Sequence, residues 1–217
     1  MRYHLLFITL VALTFVVVSP GSARQDAAGD GMRNLVDLDL AERQALQVRA
    51  MQMAEPTEEH QRLTAYTGTF DSDVKMWTMP GQAPMEAKGQ MEHEAVLGGR
   101  FLRITGKVKY SFPGLGEYDV ESIQYLGFDR RSGSYTSVGF DSMGTYSTEA
   151  MGSFDGETST LTMSGVTEDE SLKLRQAYDS IVELVDADTL KITTVVHDAF
   201  QPGPFKLMEV VSRRRKE

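Results

Sequence analysis

No cysteine occurs among the 217 residues, which excludes disulfides, iron–sulfur clusters, thiolate zinc sites, a cysteine nucleophile and lipid attachment through an N-terminal cysteine. Basic side chains are the minority: 22 Lys and Arg stand against 31 Asp and Glu, a formal net charge of -9. A nucleic-acid binder needs a basic face to neutralise phosphates, so nucleic acid is excluded as a partner, and an anionic membrane surface is a poor one. Walker, His-Glu-x-x-His and calcium-loop motifs are missing, and Gly114-Leu115-Gly116 has no βαβ unit around it to make a dinucleotide site. No cofactor is called for.

Long apolar runs are missing too, except at the start. Arg2 and His4 precede an apolar stretch, Leu5 to Val18, followed by Ser19-Pro20-Gly21-Ser22-Ala23. A basic start, a short apolar run and small residues before a cut form the secretory signal pattern. The run is short of the roughly 20 residues a bilayer helix needs. Residues 1–23 are therefore expected to be a signal peptide, and its removal leaves no stable membrane span. The mature chain is expected to be exported: periplasmic in a Gram-negative host, otherwise extracellular.

Residues 24–54 read as a linker and a helix. Gln25 to Arg33 is small and polar, whereas Leu38 to Met53 is rich in good helix formers, with Leu40, Val48 and Met51 available to one face. A second, short helix is expected near Thr57, a plausible N-cap followed by Glu58 and Glu59. Residues 55–217 then form the main domain. Turn signals recur at Pro80-Gly81, Gly98-Gly99, Pro113-Gly114, Arg131-Ser132-Gly133, Met143-Gly144, Asp155-Gly156, Glu168-Asp169-Glu170, Asp186-Ala187-Asp188 and Pro202-Gly203. No interval suits a crossover helix, which leaves an antiparallel meander of about ten strands. Closure removes its edges, so the expected fold is all-β, an antiparallel up-and-down barrel with an N-terminal helical segment.

Alternation assigns the faces. Outward charges at Asp71, Asp73 and Lys75 send Phe70, Val74 and Met76 inward. Glu86, Lys88, Glu92 and Glu94 do the same for Met85, Ala87, Gly89, Met91, His93, Ala95 and Leu97. Arg103, Lys107 and Lys109 place Leu102, Ile104, Val108 and Tyr110 inside, with Arg100 at the same parity. Lys173, Arg175, Asp179 and Glu183 imply that Leu172, Leu174, Tyr178, Val182 and Leu184 face in. The interior is then Met-rich and apolar, with His93 and Arg100 as polar exceptions. Two readings of that pair stand open: hydrogen bonds to carbonyls at the rim, or anchors for the polar head of a ligand.

Several stretches resemble an uncharacterised bacterial family, domain of unknown function 1579, grouped with the calycins or lipocalin-like barrels. They are Pro56-Thr57-Glu58-Glu59-His60-Gln61-Arg62-Leu63, Thr67-Gly68-Thr69-Phe70, Leu97-Gly98-Gly99-Arg100-Phe101-Leu102, Tyr125-Leu126-Gly127-Phe128-Asp129 and Phe140-Asp141-Ser142-Met143-Gly144-Thr145. The family commonly has Trp where this chain has Phe70 and Phe140. The resemblance implies a barrel behind an N-terminal helical segment, and no reaction. Lipocalin-like folds also set an Arg across the barrel end against a Trp, a role open here to Arg213 or Arg214 near Phe70.

Catalytic signals are weak. Ser142 lacks the first glycine of a nucleophile elbow and sits on a hairpin. Asp141, Glu121 and Glu149 are carboxylates by position only, with nothing pairing them. His197 shares parity with Lys191 and is expected outside, while His60 is expected to cover the barrel end. The reading that follows is non-catalytic binding of a small, largely apolar molecule, with Met76, Met85, Met91, Tyr110 and Tyr178 as walls and His93 and Arg100 as anchors. The alternatives are an envelope protein–protein interaction module and, further off, a hydrolase or a haem or soft-metal binder using His93 with Met85 and Met91.

Overall fold

A computed structural model of the chain describes residues 33–112, 116–170, 172–199 and 202–216. The expected signal peptide, nearly all of the linker and the Pro113-Gly114 turn lie outside the described residues. The chain divides into two compact units, Met1–Arg49 and Ala50–Glu217.

In the first unit a short 3-10 turn, Leu35–Asp37, leads into helix α1, Leu40–Met53, whose last turn belongs to the second unit. Asp39 and Glu42 cap α1 reciprocally: the Glu42 amide donates to Asp39 Oδ1 at 2.8 Å and the Asp39 amide to Glu42 Oε2 at 2.9 Å. Arg33 closes on Glu42 at 2.7 Å. No described helix is long and apolar enough to cross a membrane.

The second unit carries the short helix α2, Glu58–Thr64, and ten strands. These are β1 Gly68–Met76, β2 Met85–Val96, β3 Phe101–Phe112, β4 Gly116–Asp129, β5 Ser134–Asp141, β6 Thr148–Asp155, β7 Thr160–Asp169, β8 Leu174–Asp186, β9 Thr189–His197 and β10 Pro204–Arg214. Each pairs antiparallel with its sequence neighbours, and β1 pairs with β10 to close the barrel. Every turn signal named above that falls among the described residues lies at or beyond a strand end. Val185 and Leu207 are extra residues between paired positions, bulges that shift the β8–β9 and β9–β10 registers.

Two clusters fill the inward face. One gathers Leu63, Tyr66, Phe70, Leu102, Leu126, Tyr135, Leu161, Met163 and Leu190. The other gathers Val74, Ala87, Val108, Tyr110 and Val210. The expected parity holds through the strand bodies and fails at their ends. Leu97 is 70% exposed in the β2–β3 turn at φ 51, and Ala95 is exposed beside it. Leu172 and Leu174 are 65% and 61% exposed, because β8 begins only at Leu174, at the barrel rim. Arg100 also stands in the β2–β3 turn and not in a strand, so alternation does not govern its direction.

Candidate functional site

Arginines and α2 close one end of the barrel. Thr57 caps α2, and its amide donates to His60 Nδ1 at 3.0 Å, so histidine takes the place usually held by Glu or Gln. His60 and Leu63 are the buried residues of this helix, and His60 meets the Phe128 ring edge-on at 5.8 Å. Burial pushes the His60 imidazole below its ordinary range, opposed in part by the Phe128 backbone and Glu59. Arg62 lies over the Phe154 ring and donates to the Tyr135 hydroxyl, which in turn donates to the Glu59 carbonyl at 3.2 Å. Arg100 donates to the Ala54 carbonyl at 2.9 Å and to Leu97, and Arg130 donates to the Gln52 and Glu55 carbonyls. Arg100 is thus a rim group in the β2–β3 turn, holding the chain before α2.

Arg214 completes this end. Its guanidinium donates to the carbonyls of Thr67, Ala65 and Ala187, pairs with Asp188 at 3.5 Å, and lies 4.8 Å from the centre of the Phe70 ring. Gly68 leaves room for it: a Cβ there would run into Arg214 Nη1. This is the Arg-on-aromatic closure considered above, with Phe70 in the aromatic place.

His93 sits just inside. It is opposite Gly68 on β1 and Ile104 on β3, its ring centre is 4.8 Å from that of Phe70, and it is only 5% exposed. Neither ring nitrogen has a hydrogen-bond partner. Burial pushes the imidazole down to about 4; the Tyr66 backbone opposes this in part from outside hydrogen-bond geometry, and the Arg214 charge adds to it.

Toward the other end the inward face turns to thioethers and phenols. Met76 pairs with Met85 on one side and Met208 on the other, a row of three methionines across β2, β1 and β10. Met91 packs against both clusters and so joins the two ends. Tyr110 is buried in the second cluster, and Tyr178 lies across Gly165, its hydroxyl donating to the Glu149 carbonyl at 2.9 Å. Of the residues expected to line a site, Met76, Met85, Met91, Tyr110 and Tyr178 therefore share the lumen with His93, which lies at its closed end. Midway, Ser72 and Ser212 hydrogen-bond at 2.7 Å, and Gln124 donates to Ser137 at 2.6 Å. Sequence reasoning missed Ser72, Ser212, Gln124, Ser137 and Met208. For β10 the signal was present, since Glu209 and Arg213 mark the outward parity and leave Met208, Val210 and Ser212 inside. Away from the strand ends, no Asp, Glu or Lys occupies an inward position among the described residues.

Two open depressions are lined mainly by outward-facing residues of the wall. One, of about 930 Å³, is paved by outward charges in pairs: Asp71 with Arg215 at 2.5 Å, Asp73 with Arg213 at 2.7 Å and Lys107 with Glu121 at 2.6 Å. The other, of about 520 Å³, includes the exposed Ile123 and Phe140. Paired surface charges of this kind stabilise by no more than about 1 kcal/mol each.

The catalytic candidates are occupied otherwise. The Ser142 hydroxyl accepts from the Glu121 amide at 3.0 Å, and Glu121 itself pairs with Lys107. His197 faces outward, as expected, but is only partly exposed: its Nε2 meets Asp179 Oδ2 at 2.8 Å, while Ser164 donates to Asp179 Oδ1 at 2.5 Å. Here the carboxylate stands between serine and histidine, so the imidazole has no access to the hydroxyl proton and the set is not a nucleophile triad. Among the described residues no three His, Asp or Glu side chains come together to hold a metal.

The fold and this interior define an up-and-down β-barrel with one end closed by a helix and an Arg–Phe contact. The chain belongs to the family described as "Protein of unknown function (DUF1579)", whose model matches residues 55–214. No curated protein matches it. Among solved structures it is similar to Rv2717c from M. tuberculosis, at 16% identity over 75% of this chain and 100% of that one, with a TM-score of 0.52. The S-type phycobiliprotein lyase CPES from Guillardia theta matches at 11% identity over 75% and 99%, with a TM-score of 0.47. A de novo designed fluorescence-activating β-barrel matches at 12% identity over 70% and 96%, with a TM-score of 0.39. At these identities the likeness is one of fold.

Proposed function

We propose that this chain is an exported, non-catalytic binder of a small, largely apolar molecule held in the barrel lumen. The observation that carries the reading is a set of inward side chains left partly accessible beside two sealed clusters. Phe70 is 0% exposed, Leu102, Leu161 and Leu190 are 1% exposed, and Val74 and Val210 are 2% exposed. On the same inward face Met76, Met85, Met91, Ile104, Tyr178, Val182 and Met208 keep partial solvent contact although they sit within strands. Adaptable thioethers beside accessible space, on a wall without carboxylates or ammonium groups, suit an apolar guest of variable shape. Export rests on the leader pattern at residues 1–23.

The test is binding of an uncharged solvatochromic dye to the purified chain, with Ile104→Trp and Val182→Trp as lumen-filling variants. Saturable binding that both variants abolish, while unfolding transitions stay cooperative, supports the reading. Binding that survives both places the dye elsewhere and removes it. A second reading, docking to another envelope protein, is favoured by α1, which leaves Leu40, Val48 and Met51 exposed. Deleting residues 24–54 discriminates: lost partner capture with unchanged dye binding supports docking, and unchanged capture removes it.

A further inference from the structure

We propose that the ligand's polar end is an uncharged hydroxyl group docked on His93 at the closed end of the lumen, and that carboxylates are rejected; this rests on the lumen-binding reading above. Three observations on the interior carry it. First, His93 is an unpartnered polar side chain more than nine-tenths buried: both ring nitrogens lack a hydrogen-bond partner and the residue is 5% exposed. Buried donors and acceptors are nearly always satisfied in a folded protein, so a group left open in this way points to an absent partner. The cross-strand residue on β1 is Gly68, which brings no side chain to the ring; the room over it is taken by the Arg214 guanidinium, which makes no hydrogen bond to His93.

Second, the approach to His93 is uncharged. Met91 is the next inward residue along β2, and its sulfur receives the Ser212 hydroxyl at 3.9 Å. Beyond it lie the Ser72–Ser212 and Gln124–Ser137 pairs, neutral groups already hydrogen-bonded to each other. Met91 is unbranched and packs against both apolar clusters, so it is the adaptable side chain between them.

Third, among the described residues no free cation stands ready for an anion near His93. The single guanidinium near His93 is that of Arg214, whose donors already meet the Thr67, Ala65 and Ala187 carbonyls and whose charge meets Asp188. A carboxylate brought to His93 would lose its water without gaining a counter-ion. Burial and the Arg214 charge also keep the imidazole neutral. A neutral imidazole offers one donor and one acceptor, and a hydroxyl suits whichever of the two it meets. An ether oxygen or a carboxylate serves only the N–H.

The experiment displaces the neutral dye from the full chain at neutral pH with decanol, decanoate and 1-methoxynonane, molecules of matched length and different ends. Decanol is expected to displace at about tenfold lower concentration than either competitor, the scale of one hydrogen bond to an otherwise unsatisfied buried group. In His93→Phe that preference shrinks to within about twofold, while His93→Gln, which keeps a donor and an acceptor, retains part of it. Nitrogen-15 spectra of the ring-labelled wild-type chain give a readout free of mutation: decanol shifts the His93 ring signals and 1-decene does not. Decanoate binding as well as decanol, or an unchanged preference in a folded His93→Phe, overturns the hydroxyl assignment but leaves the lumen reading standing. Absence of dye and decanol binding overturns both.

Discussion

The Arg214 guanidinium lies 4.8 Å from the centre of the Phe70 ring, and its N–H groups reach carbonyls on both sides of the barrel end, Ala65 and Thr67 before β1 and Ala187 between β8 and β9. One side chain from the last strand thus ties the first strand, the preceding helix and a distant hairpin. Replacing Arg214 with Ala leaves those carbonyls unmatched and uncovers a ring that is otherwise fully buried. Urea unfolding is expected to show a loss of about 2–4 kcal/mol. Arg214→Lys recovers less than half of it, because an ammonium cannot spread over the ring and three carbonyls at once. A full rescue by Lys would show that charge alone closes the end.

His93 sets the acid limb of the stability profile. Its folded-state value is held down at about 4 against an ordinary 6.5, so between these pH values the unfolded chain binds a proton that the folded chain does not. Stability from this group is therefore complete above pH 6.5, falls as pH drops toward 4, and changes no further below that. The expected loss across the window is roughly 3 kcal/mol. Chemical unfolding at a series of pH values is predicted to show that slope in the wild type and a clearly shallower one in His93→Phe, where His60, also held below its ordinary range by burial, still contributes. Asp179 acts lower: the Ser164 hydrogen bond first, and His197 second, hold its carboxyl below the usual 3.8, so its contribution is present at 3.8 and above and is lost as pH falls through its folded value.

Gly165 lies where the chain has no room for a methyl group. A Cβ there would stand 2.5 Å from Tyr178 Cζ and 2.6 Å from its hydroxyl oxygen, and closer still to the Glu149 carbonyl. Gly165→Ala is expected to destabilise the barrel by about 2 kcal/mol. Tyr178→Phe by itself is expected to lose about 1 kcal/mol with the hydrogen bond to Glu149. The double variant should recover nothing, since the blocking carbonyl belongs to the backbone and cannot move aside. Recovery in thermal unfolding would show that the Tyr178 hydroxyl alone sets the limit.

Methionine oxidation maps the lumen. Under dilute peroxide Met51, Met143, Met79 and Met151, 70%, 64%, 54% and 51% exposed, should oxidise first, and Met163, 2% exposed, last. Met76, Met85 and Met208 should fall between. Bound decanol or dye is expected to slow these three at least severalfold without changing Met143, as read by peptide mass spectrometry. Equal protection of Met143 would mean that the additive acts on the peroxide and not on the lumen.

The barrel was legible because turn residues punctuate the chain at hairpin spacing and outward charges mark parity in strand after strand. The inward positions were legible only in part. Met76, Met85, Met91, His93, Tyr110 and Tyr178 followed from that alternation. Arg100 did not, since the parity rule was carried past the end of β3 into a turn where the backbone no longer alternates; its hydrogen bonds to Ala54 and Leu97 fulfil the rim role that was weighed for it. Leu97 and Leu172 were misassigned for the same reason, and Leu174 because it opens β8 at the exposed rim. Met208 was missed although the outward charges Glu209 and Arg213 mark the parity that leaves it inside. The orphaned nitrogens of His93 have no sequence signal, since satisfaction of a buried group depends on what the other strands bring near it.

The central claim, that the lumen holds a small apolar guest, is tested most directly by native mass spectrometry of the protein recovered from its own host without detergent. The account predicts one uncharged adduct per chain, absent from Ile104→Trp prepared in the same way, on a polypeptide that begins at Arg24. A bare polypeptide mass for the wild type, together with no dye uptake, would contradict it.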